Sequence, residues 1–437
     1  MSQTNLLAAR RFLPLFLTQT LGAFEDNLFK SAFVMLVTYG SAMHSPLGPG
    51  AVAAVAGGAL IMPYFLFSAT AGELADRFER SRLLQVLKAA ELLTVIAAIA
   101  ALLADSLALS LVALFALGAQ ATFSSPVRYA LLPQHLAAEQ LVGGNGLLEG
   151  GTFLAILLGT IAGGIAVAFD RGTEAASALL VVCGVAGLAA SFYVPLAPPP
   201  SPGLRLSRNL LGATRDILRH ARERREVWLA IIGSSWFWLV GAVFLSQIPS
   251  FAKATLGAGS GVVILFLAAF SVGVGLGSLL CARIMRGEVS ARYAPLAALG
   301  MAAFAIDLAL AGAAAAPPAA GPLLGVAAFL SHVTGLRIFL DLTALAVCGG
   351  IFVVPLYAII QRRSEAAARA RVIAVGNIMN ALFMTAAALV TAALLAAGVR
   401  TTDLFFAIGA LTAGVALWSC RLLPADAWPI VPRILRR

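Results

Sequence analysis

Long apolar runs alternate with short polar breaks along the whole chain. Twelve runs are centred near residues 26, 62, 92, 117, 155, 184, 239, 270, 303, 350, 385 and 413. Each is long enough to cross a hydrocarbon core of roughly 30 Å as a helix that rises ~1.5 Å per residue. Lipid offers the backbone no hydrogen-bond partner, and runs of this length fit helices better than barrel strands. The pattern therefore predicts twelve transmembrane helices.

The composition supports the same class. Of 437 residues, 60% are hydrophobic and 11% are charged, and the mean hydropathy is +0.94. A soluble domain carries roughly twice that share of charged residues, at about 25%. The four cysteines are far apart within predicted spans, so neither a disulfide nor a metal site is predicted, and no cofactor is expected. They are Cys183, Cys281, Cys348 and Cys420.

The net charge of +10 is spread over many loops, so nucleic acid is not an expected partner. With the N-terminus inside, most basic residues fall on cytoplasmic ends and loops, including Arg10, Lys88, Arg128 and the arginines of 205–225 and 362–371. This excess is typical of an even number of spans with both termini in the cytoplasm. The run 12–39 is too long for a cleavable signal segment and is predicted to be the first span.

Residues 197–226 divide the chain into two halves, 1–196 and 227–437, with six predicted spans each. The dividing segment begins with three prolines, at 198–200, and continues into an arginine-rich stretch with apolar residues at helical spacing. It is predicted to be a cytoplasmic linker containing an amphipathic helix. That helix lies either on the inner membrane surface or in solvent as a plain linker.

Two pairs of motifs indicate that the halves are duplicated. In the first half Pro126-Val127-Arg128-Tyr129-Ala130 precedes Gly144-Asn145-Gly146, and in the second Pro355-Leu356-Tyr357-Ala358 precedes Gly376-Asn377. The pairs lie six predicted spans apart. A six-plus-six parallel repeat is the architecture of major facilitator transporters, with the cargo site between the halves near the midplane. The expected fold is an all-α membrane protein of two pseudo-symmetric six-helix bundles.

The loop after the second predicted span resembles the signature of the major facilitator superfamily. Its sequence is Gly72-Glu73-Leu74-Ala75-Asp76-Arg77-Phe78-Glu79-Arg80-Ser81-Arg82, with Glu79 where the family has a second glycine in a tight turn. Asp76 is expected to cap a neighbouring helix N-terminus or to pair with Arg128, while Gly72 allows close helix approach. A plain positively charged loop is the alternative. The candidate gate residues are Gly72, Asp76, Arg77, Arg80 and Arg128.

A closer resemblance narrows the family. The opening residues Phe12-Leu13-Pro14-Leu15-Phe16-Leu17-Thr18-Gln19 and Asp26-Asn27-Leu28-Phe29-Lys30 are similar to those of bacterial lysophospholipid transporters, as are Ser125-Pro126-Val127-Arg128-Tyr129, Asn145-Gly146-Leu147-Leu148-Glu149, Trp236-Phe237-Trp238 and Val354-Pro355-Leu356-Tyr357-Ala358. The resemblance extends to the transporter portion of proteins fused to acyltransferase and acyl-carrier-protein synthetase domains. It implies a flippase that moves lysophospholipids from the outer to the inner leaflet of the bacterial inner membrane for reacylation. The family usually has Asn where this chain has Glu25.

Intramembrane polar residues are the candidates for the cargo site. A carboxylate near mid-bilayer costs on the order of 2.5–3.5 kcal/mol, so it normally faces protein or a wet cavity. Asp26 and Lys30 lie four residues apart on one helix face and could bind a zwitterionic head group; an internal ion pair is the alternative. Glu25 is about 100° away from Asp26, so Asp26 is the preferred site residue. The candidate site residues are Gln19, Asp26, Asn27, Lys30, Asn145, Glu149, Asn377 and Asn380.

For the asparagines, hydrogen bonding between helices is the alternative to a head-group path. Two further intramembrane acids, Glu91 and Asp307, could each be a proton site, and the sequence selects neither of them for that role. Structural pairing or a position near the end of a span is the favoured interpretation for both.

Absent motifs limit the remaining functions. The sequence contains no G-x-x-x-x-G-K-[ST], so no ATP-driven pump is predicted, and no His is followed five residues later by the Asp of the acyltransferase signature. The chain is expected to move the lipid as a monomer and to leave the chemistry to a separate acyltransferase or acyl-carrier-protein synthetase. A proton-coupled exporter of drugs or small solutes and a non-transporting membrane scaffold for an acyltransferase remain the alternatives.

Overall fold

A computed structural model describes residues 4–39, 49–166, 172–207, 209–315 and 322–422. Within these ranges it has twelve long helices, one over each predicted apolar run, so the predicted twelve-helix membrane fold is confirmed. We number them α1–α12 in chain order: Leu13–Tyr39, Pro49–Arg77, Arg80–Leu103, Leu107–His135, Leu141–Ala166, Gly172–Ser191, Arg225–Ser250, Ser260–Met285, Ala294–Ala313, Val333–Arg363, Arg369–Ala396 and Thr401–Ser419.

Eleven of the described helices, α2–α12, are long and apolar enough to cross a membrane. The remaining long helix, α1, has 27 residues, which also suffices to span the hydrocarbon core, but it carries Glu25, Asp26 and Lys30 within its apolar sequence. Large apolar side chains such as Leu93, Val112 and Leu389 are about two-thirds exposed, as expected for helix faces in contact with lipid.

The chain forms two compact units. The first contains Met1–Gly144, Gly151–Arg224 and Ile360–Ala381, and therefore includes α1–α4, α6, most of α5 and the first part of α11. Its apolar core includes Phe29 and Phe33 of α1, Val95 of α3, and Leu114 and Leu117 of α4. Burial of these large side chains fixes α1 against α3 and α4, which is the packing that positions the charged residues described below.

The second unit contains Asn145–Gly150, Arg225–Ile359 and Leu382–Arg437. Its core has a group of packed aromatic rings: Phe244 of α7 and Phe405 of α12 are stacked with centroids 4.4 Å apart, and Phe251 meets Phe405 edge to face at 5.2 Å. Phe251 begins a single π-helical turn, Phe251–Thr255, that extends α7. The wide turn continues the helix without a break, so α7 and this turn form one continuous 31-residue segment.

The segment between α6 and α7 contains a helix, Leu210–Glu223. Asn209 caps its N-terminus, because Asn209 Oδ1 accepts a hydrogen bond from the N–H of Gly212 at 3.0 Å. Ala213, Ile217 and Ala221 of this helix are buried, and the helix packs against α2, whereas Leu211 is 85% exposed. Part of its apolar surface is therefore covered by protein of the first unit.

Candidate functional site

Charged residues from three helices meet inside the first unit, where the apolar surroundings make unpaired charge costly. We call this group the six-charge cluster; its members are Glu25, Asp26 and Lys30 of α1, Lys88 and Glu91 of α3, and Arg128 of α4. It contains three acidic and three basic groups. Each of the other five members interacts electrostatically with Asp26, and Glu25 also interacts with Lys88 and Glu91.

Lys88 and Glu91 form the tightest pair in the cluster. Lys88 Nζ lies 2.6 Å from Glu91 Oε1, and the two residues are 1% and 4% exposed. The other oxygen, Glu91 Oε2, accepts a hydrogen bond from Gln120 Nε2 of α4 at 3.1 Å. Both oxygens of Glu91 therefore have donors, one of them cationic, which is the arrangement that stabilises an ionised carboxylate in a buried place.

Glu25 has the opposite surroundings. Its side chain is 1% exposed, and neither of its oxygens receives a hydrogen bond from a donor in the described part of the chain. Its charged neighbours are Glu91, Lys88 and Asp26. A Cβ atom on Gly184 of α6 would lie 3.0 Å from Glu25 Oε1, so α6 covers the carboxyl group closely.

Asp26 and Lys30 are less enclosed than Glu25. Both remain partly accessible, and they attract each other across one turn of α1. Neighbouring helical residues are about 100° apart, and here Glu25 is buried while Asp26 is partly buried. Tyr64 of α2 also lies near Asp26. Asp26 and Lys30 together present charges of both signs at the accessible side of the cluster.

Arg128 belongs to the cluster and not to the loop after α2. Its side chain is 8% exposed, and its Nη1 lies 3.6 Å from where a Cβ atom of Gly22 would be. It interacts electrostatically with Asp26 and Tyr64, while its Nε has no hydrogen-bond partner among the described residues. The prediction that Arg128 pairs with Asp76 is therefore wrong, because α4 directs this arginine toward α1.

Gln19 and Asn27 are on α1 but make local contacts. Gln19 Nε2 donates to Thr152 Oγ1 of α5 at 3.0 Å, and Asn27 Nδ2 donates to the carbonyl oxygen of Ala23 at 2.8 Å. Gln19 thus joins two helices, and the amide group of Asn27 is bound to its own helix. Neither contact is with a member of the six-charge cluster.

The remaining candidate site residues divide between the two units. Asn377 and Asn380 are partly buried on the part of α11 in the first unit, and Asn377 Oδ1 accepts a hydrogen bond from Ser125 Oγ at 3.2 Å. Asn145 and Glu149 are fully buried on the short segment of α5 in the second unit. There α5 approaches α8 closely, since a Cβ atom on Gly146 would lie 2.6 Å from the carbonyl oxygen of Ser278.

Asp76 forms a separate polar contact at the end of α2. Its Oδ1 accepts hydrogen bonds from Arg80 Nη2 at 2.8 Å and from the N–H of Ala370 at 3.1 Å. Its Oδ2 accepts from the N–H and the Nε of Arg371, at 3.2 and 3.1 Å. Asp76 therefore caps the N-terminus of α11, which is one of its two expected roles.

Two neighbours complete the Asp76 contact. Arg80 is fully buried and donates further hydrogen bonds to the carbonyl oxygens of Ala75 and Ala130. A Cβ atom on Gly72 would lie 2.7 Å from Cα of Arg371, so α2 and α11 can approach this closely only with glycine at position 72. Arg77, another candidate gate residue, lies over the Phe78 ring at 5.3 Å and forms no ion pair among the described residues.

Glu79 replaces the turn glycine of the family signature without backbone strain. Its φ is −63°, which any residue adopts, and its carboxylate caps α3 by accepting from the N–H groups of Ser81 at 3.0 Å and Arg82 at 2.8 Å. It also accepts from the N–H of Ala197 at 2.7 Å. Burial alone would raise the pKa of Glu79, but the hydrogen bonds from Ser81, Ala197 and Arg82 outweigh it and lower that pKa.

Three contacts were not foreseen from the sequence. Lys88 was expected on the cytoplasmic side and is instead a buried partner of Glu91; its spacing of three residues from Glu91 within an apolar run was the available signal. Arg371 was expected only to contribute positive charge and instead binds Asp76. Asp307, for which the sequence allowed a proton site or a structural pair, forms a bidentate ion pair with Arg337.

The fold and the site define a class: a multi-pass membrane protein with a charged cluster enclosed by helices. The model of the Major Facilitator Superfamily matches residues 12–340, and the chain belongs to this family. Solved structures agree with the fold. The human organic anion transporter MFSD10 superimposes with a TM-score of 0.73 at 14% identity, covering 93% of this chain and 99% of its own. The proton:xylose symporter XylE superimposes with a TM-score of 0.69 at 15% identity, covering 95% and 96%.

Curated relatives match over most of the sequence. The lysophospholipid transporter LplT of Serratia proteamaculans is 27% identical over 370 residues, which covers 82% of each chain. The lysophospholipid transporter LplT of Klebsiella pneumoniae is 27% identical over 372 residues, again with 82% of each chain covered.

Proposed function

We propose that this protein is a lysophospholipid transporter. The observation that carries the proposal is the match of relatives with that name over 82% of each chain. A lysophospholipid has a phosphate group, often an ammonium group, and a single acyl tail. The six-charge cluster offers groups of both signs inside a membrane-spanning bundle, which suits a head group of this kind.

Arg128 is the proposed phosphate ligand. Its planar guanidinium group can donate two parallel hydrogen bonds to phosphate oxygens, and its Nε has no partner among the described residues. Asp26 is the proposed ligand of the ammonium group, since it is partly accessible and lies near Arg128. Lys30 supports the phosphate from the next turn of α1, and Asn377 and Asn380 extend the polar path.

The proposed cycle is alternating access, with lysophospholipid moved from the outer to the inner leaflet of the bacterial inner membrane. The hydrogen bonds from Ala370 and Arg371 to Asp76 would break and re-form as the cytoplasmic side opens and closes. Both termini would be cytoplasmic; residues 423–437 at the C-terminus lie outside the described ranges. The protein would act as a monomer and without enzymatic activity, and would deliver its cargo to a separate acyltransferase.

The test is uptake of fluorescent lysophosphatidylethanolamine into proteoliposomes that contain the full chain. We expect uptake by the wild type and a loss of at least about tenfold for Arg128→Ala, because a charge-assisted bidentate contact is worth roughly 1.5–3 kcal/mol. Arg400→Ala is the matched control, since Arg400 is exposed and its ion pair is with Asp403. Export of drugs without lipid uptake would overturn the proposal in favour of a solute exporter. Binding of an acyltransferase with no transport would favour a scaffold.

A further inference from the structure

Two buried carboxyl groups, Glu25 and Glu91, are neighbours inside the first unit. Glu91 binds Lys88 and Gln120, whereas Glu25 has no donor among the described residues and is 1% exposed. Two neighbouring ionised carboxylates in a buried place repel each other, and a single proton on one of them removes the repulsion. Glu25 is the group that can hold this proton, because both oxygens of Glu91 already accept hydrogen bonds. The Glu25 O–H would then donate to Glu91.

The titratable neighbours of Glu25 lie on three helices: Asp26 on its own helix, Lys88 and Glu91 on α3, and Cys183 on α6. Lys30 of α1, Tyr64 of α2 and Arg128 of α4 interact with Asp26. With all six members of the six-charge cluster ionised, three negative charges balance three positive ones. One proton on Glu25 leaves the cluster with a surplus of one positive charge.

The surplus charge appears where a phosphate would bind. Once Glu25 is neutral, two carboxylates, Asp26 and Glu91, face three cations, and Lys88 is held by Glu91. Asp26 is shared by Lys30 and Arg128, and Arg128 also has an Nε without a partner among the described residues, so Arg128 is the cation that can take up an anion. A phosphodiester anion next to Arg128 restores neutrality in a place where net charge is costly. Binding of the proton and binding of the phosphate are therefore coupled by electrostatics.

A route for the proton exists beside the site. Asp26 follows Glu25 directly in the chain and is partly accessible, so a proton can reach Glu25 through a neighbouring carboxylate without crossing the apolar core. Gly22 lies about one helical turn before Glu25 on α1. A Cβ atom on Gly22 would be 3.1 Å from Lys88 Nζ and 3.2 Å from Glu91 Oε1, so the glycine allows α1 to pack against these two side chains. Movement of α1 relative to α3 would change both the shared proton and the phosphate site.

We propose that Glu25, hydrogen-bonded to Glu91, is a proton site, and that its proton is carried inward together with the phosphate group bound at Arg128. This inference rests on the proposed function for the identity of the cargo. The balance is one proton taken from the outer side by the Glu25 carboxylate, and one proton released to the inner side when the lipid leaves.

The first experiment needs no lysophospholipid. The infrared spectrum of the full chain, purified in a maltoside detergent that has no C=O group, should show at neutral pH the C=O band of a protonated carboxyl group that is missing in Glu25→Gln. Glu174→Gln, which changes an exposed carboxylate of the same unit, should keep the band. A wild-type spectrum without a band that depends on Glu25 overturns the proton site, whatever the cargo is.

The second experiment measures coupling with lysophosphatidylglycerol as the probe. For the wild type we expect Kd to rise by about tenfold per pH unit once the carboxyl pair has lost its proton. Glu25→Gln, whose amide N–H can donate to Glu91, should bind lysophosphatidylglycerol with the same Kd at every pH at which the wild type is measured. With the proteoliposome interior alkaline, the wild type should accumulate lipid and Glu25→Gln should only equilibrate it. A wild-type Kd independent of pH, or accumulation by Glu25→Gln, overturns the coupling. If no lysophospholipid binds, the proposed function fails, and the infrared result still decides the proton site.

Discussion

The carboxylate of Asp76 holds the first turn of α11 through Arg371, which donates to it from both its backbone N–H at 3.2 Å and its side-chain Nε at 3.1 Å. The same carboxylate pairs with the fully buried Arg80. One side chain therefore joins the end of α2, the start of α3 and the start of α11. Contacts that use a single carboxylate for several donors are lost together when that carboxylate is removed.

Asp76→Ala should lower both stability and transport. It leaves Arg80 buried without its anion and α11 without its cap, for which we expect a loss of roughly 3–5 kcal/mol in the free energy of unfolding. Asp76→Asn should lose less, because its carbonyl oxygen can still accept from a backbone N–H. The check is thermal unfolding of the full chain in detergent, with Glu365→Gln as the control for an exposed ion pair. An Asp76→Ala protein as stable as the wild type would contradict the assignment.

Gly72→Ala should weaken the contact between α2 and α11. The new Cβ atom would lie 2.7 Å from Cα of Arg371, which is backbone and cannot move aside alone, so the helices must separate. We expect a lower unfolding midpoint and slower lipid uptake. Gly58→Ala on the same helix is the matched control, because its Cβ atom would meet nothing within 4 Å. It should be neutral or stabilising by about 0.5–1 kcal/mol, since alanine favours the helix. Equal behaviour of the two variants would exclude a role for the close approach.

The membrane fold follows from the sequence because a lipid-facing helix must be apolar over its whole length, whatever its neighbours are. That is why the positions of α1–α12 could be predicted without any knowledge of their packing. The charged residues within the spans could also be identified from the sequence alone. Helical geometry separates Glu25 from Asp26 by about 100°, and in the structure Glu25 is buried while Asp26 is partly buried.

The partners of those charged residues could not be predicted, because they depend on which helices are adjacent and at what height. Arg128 is two residues from Ala130, whose carbonyl oxygen binds Arg80, yet its own side chain reaches Asp26 instead of Asp76. Lys88 and Glu91 are the exception, since a spacing of three residues brings both onto one helix face. Arg371 is 295 residues from Asp76, and no local pattern connects them.

Glu79→Gly, which restores the residue of the family signature, should destabilise this chain. The backbone at Glu79 has a φ of −63°, so glycine gains nothing there, and the cap on α3 is lost at a cost of about 1 kcal/mol. The pKa of Glu79 lies below its ordinary value of 4.5, so its stabilising effect is complete above pH 4.5 and declines as the pH falls through the folded-state pKa. Unfolding midpoints of both proteins at neutral and acidic pH provide the check. A difference that grows on acidification would contradict the cap.

The pairing of Lys88 with Glu91 can be tested by comparing single and double substitutions. Lys88→Met keeps most of the side-chain volume but leaves Glu91 buried beside Glu25 without its cation, so we expect a loss of roughly 3–5 kcal/mol in the free energy of unfolding. Adding Glu91→Gln removes the unpaired charge, and because Gln120 can still donate to the amide oxygen, the double variant should recover most of that loss. Glu174→Gln, on the exposed end of α6, serves as the control for changing a carboxylate outside the cluster. Additive losses in the double variant, measured from the yield of folded protein and from thermal unfolding, would show that the two groups are independent and that the six-charge cluster does not act as a unit.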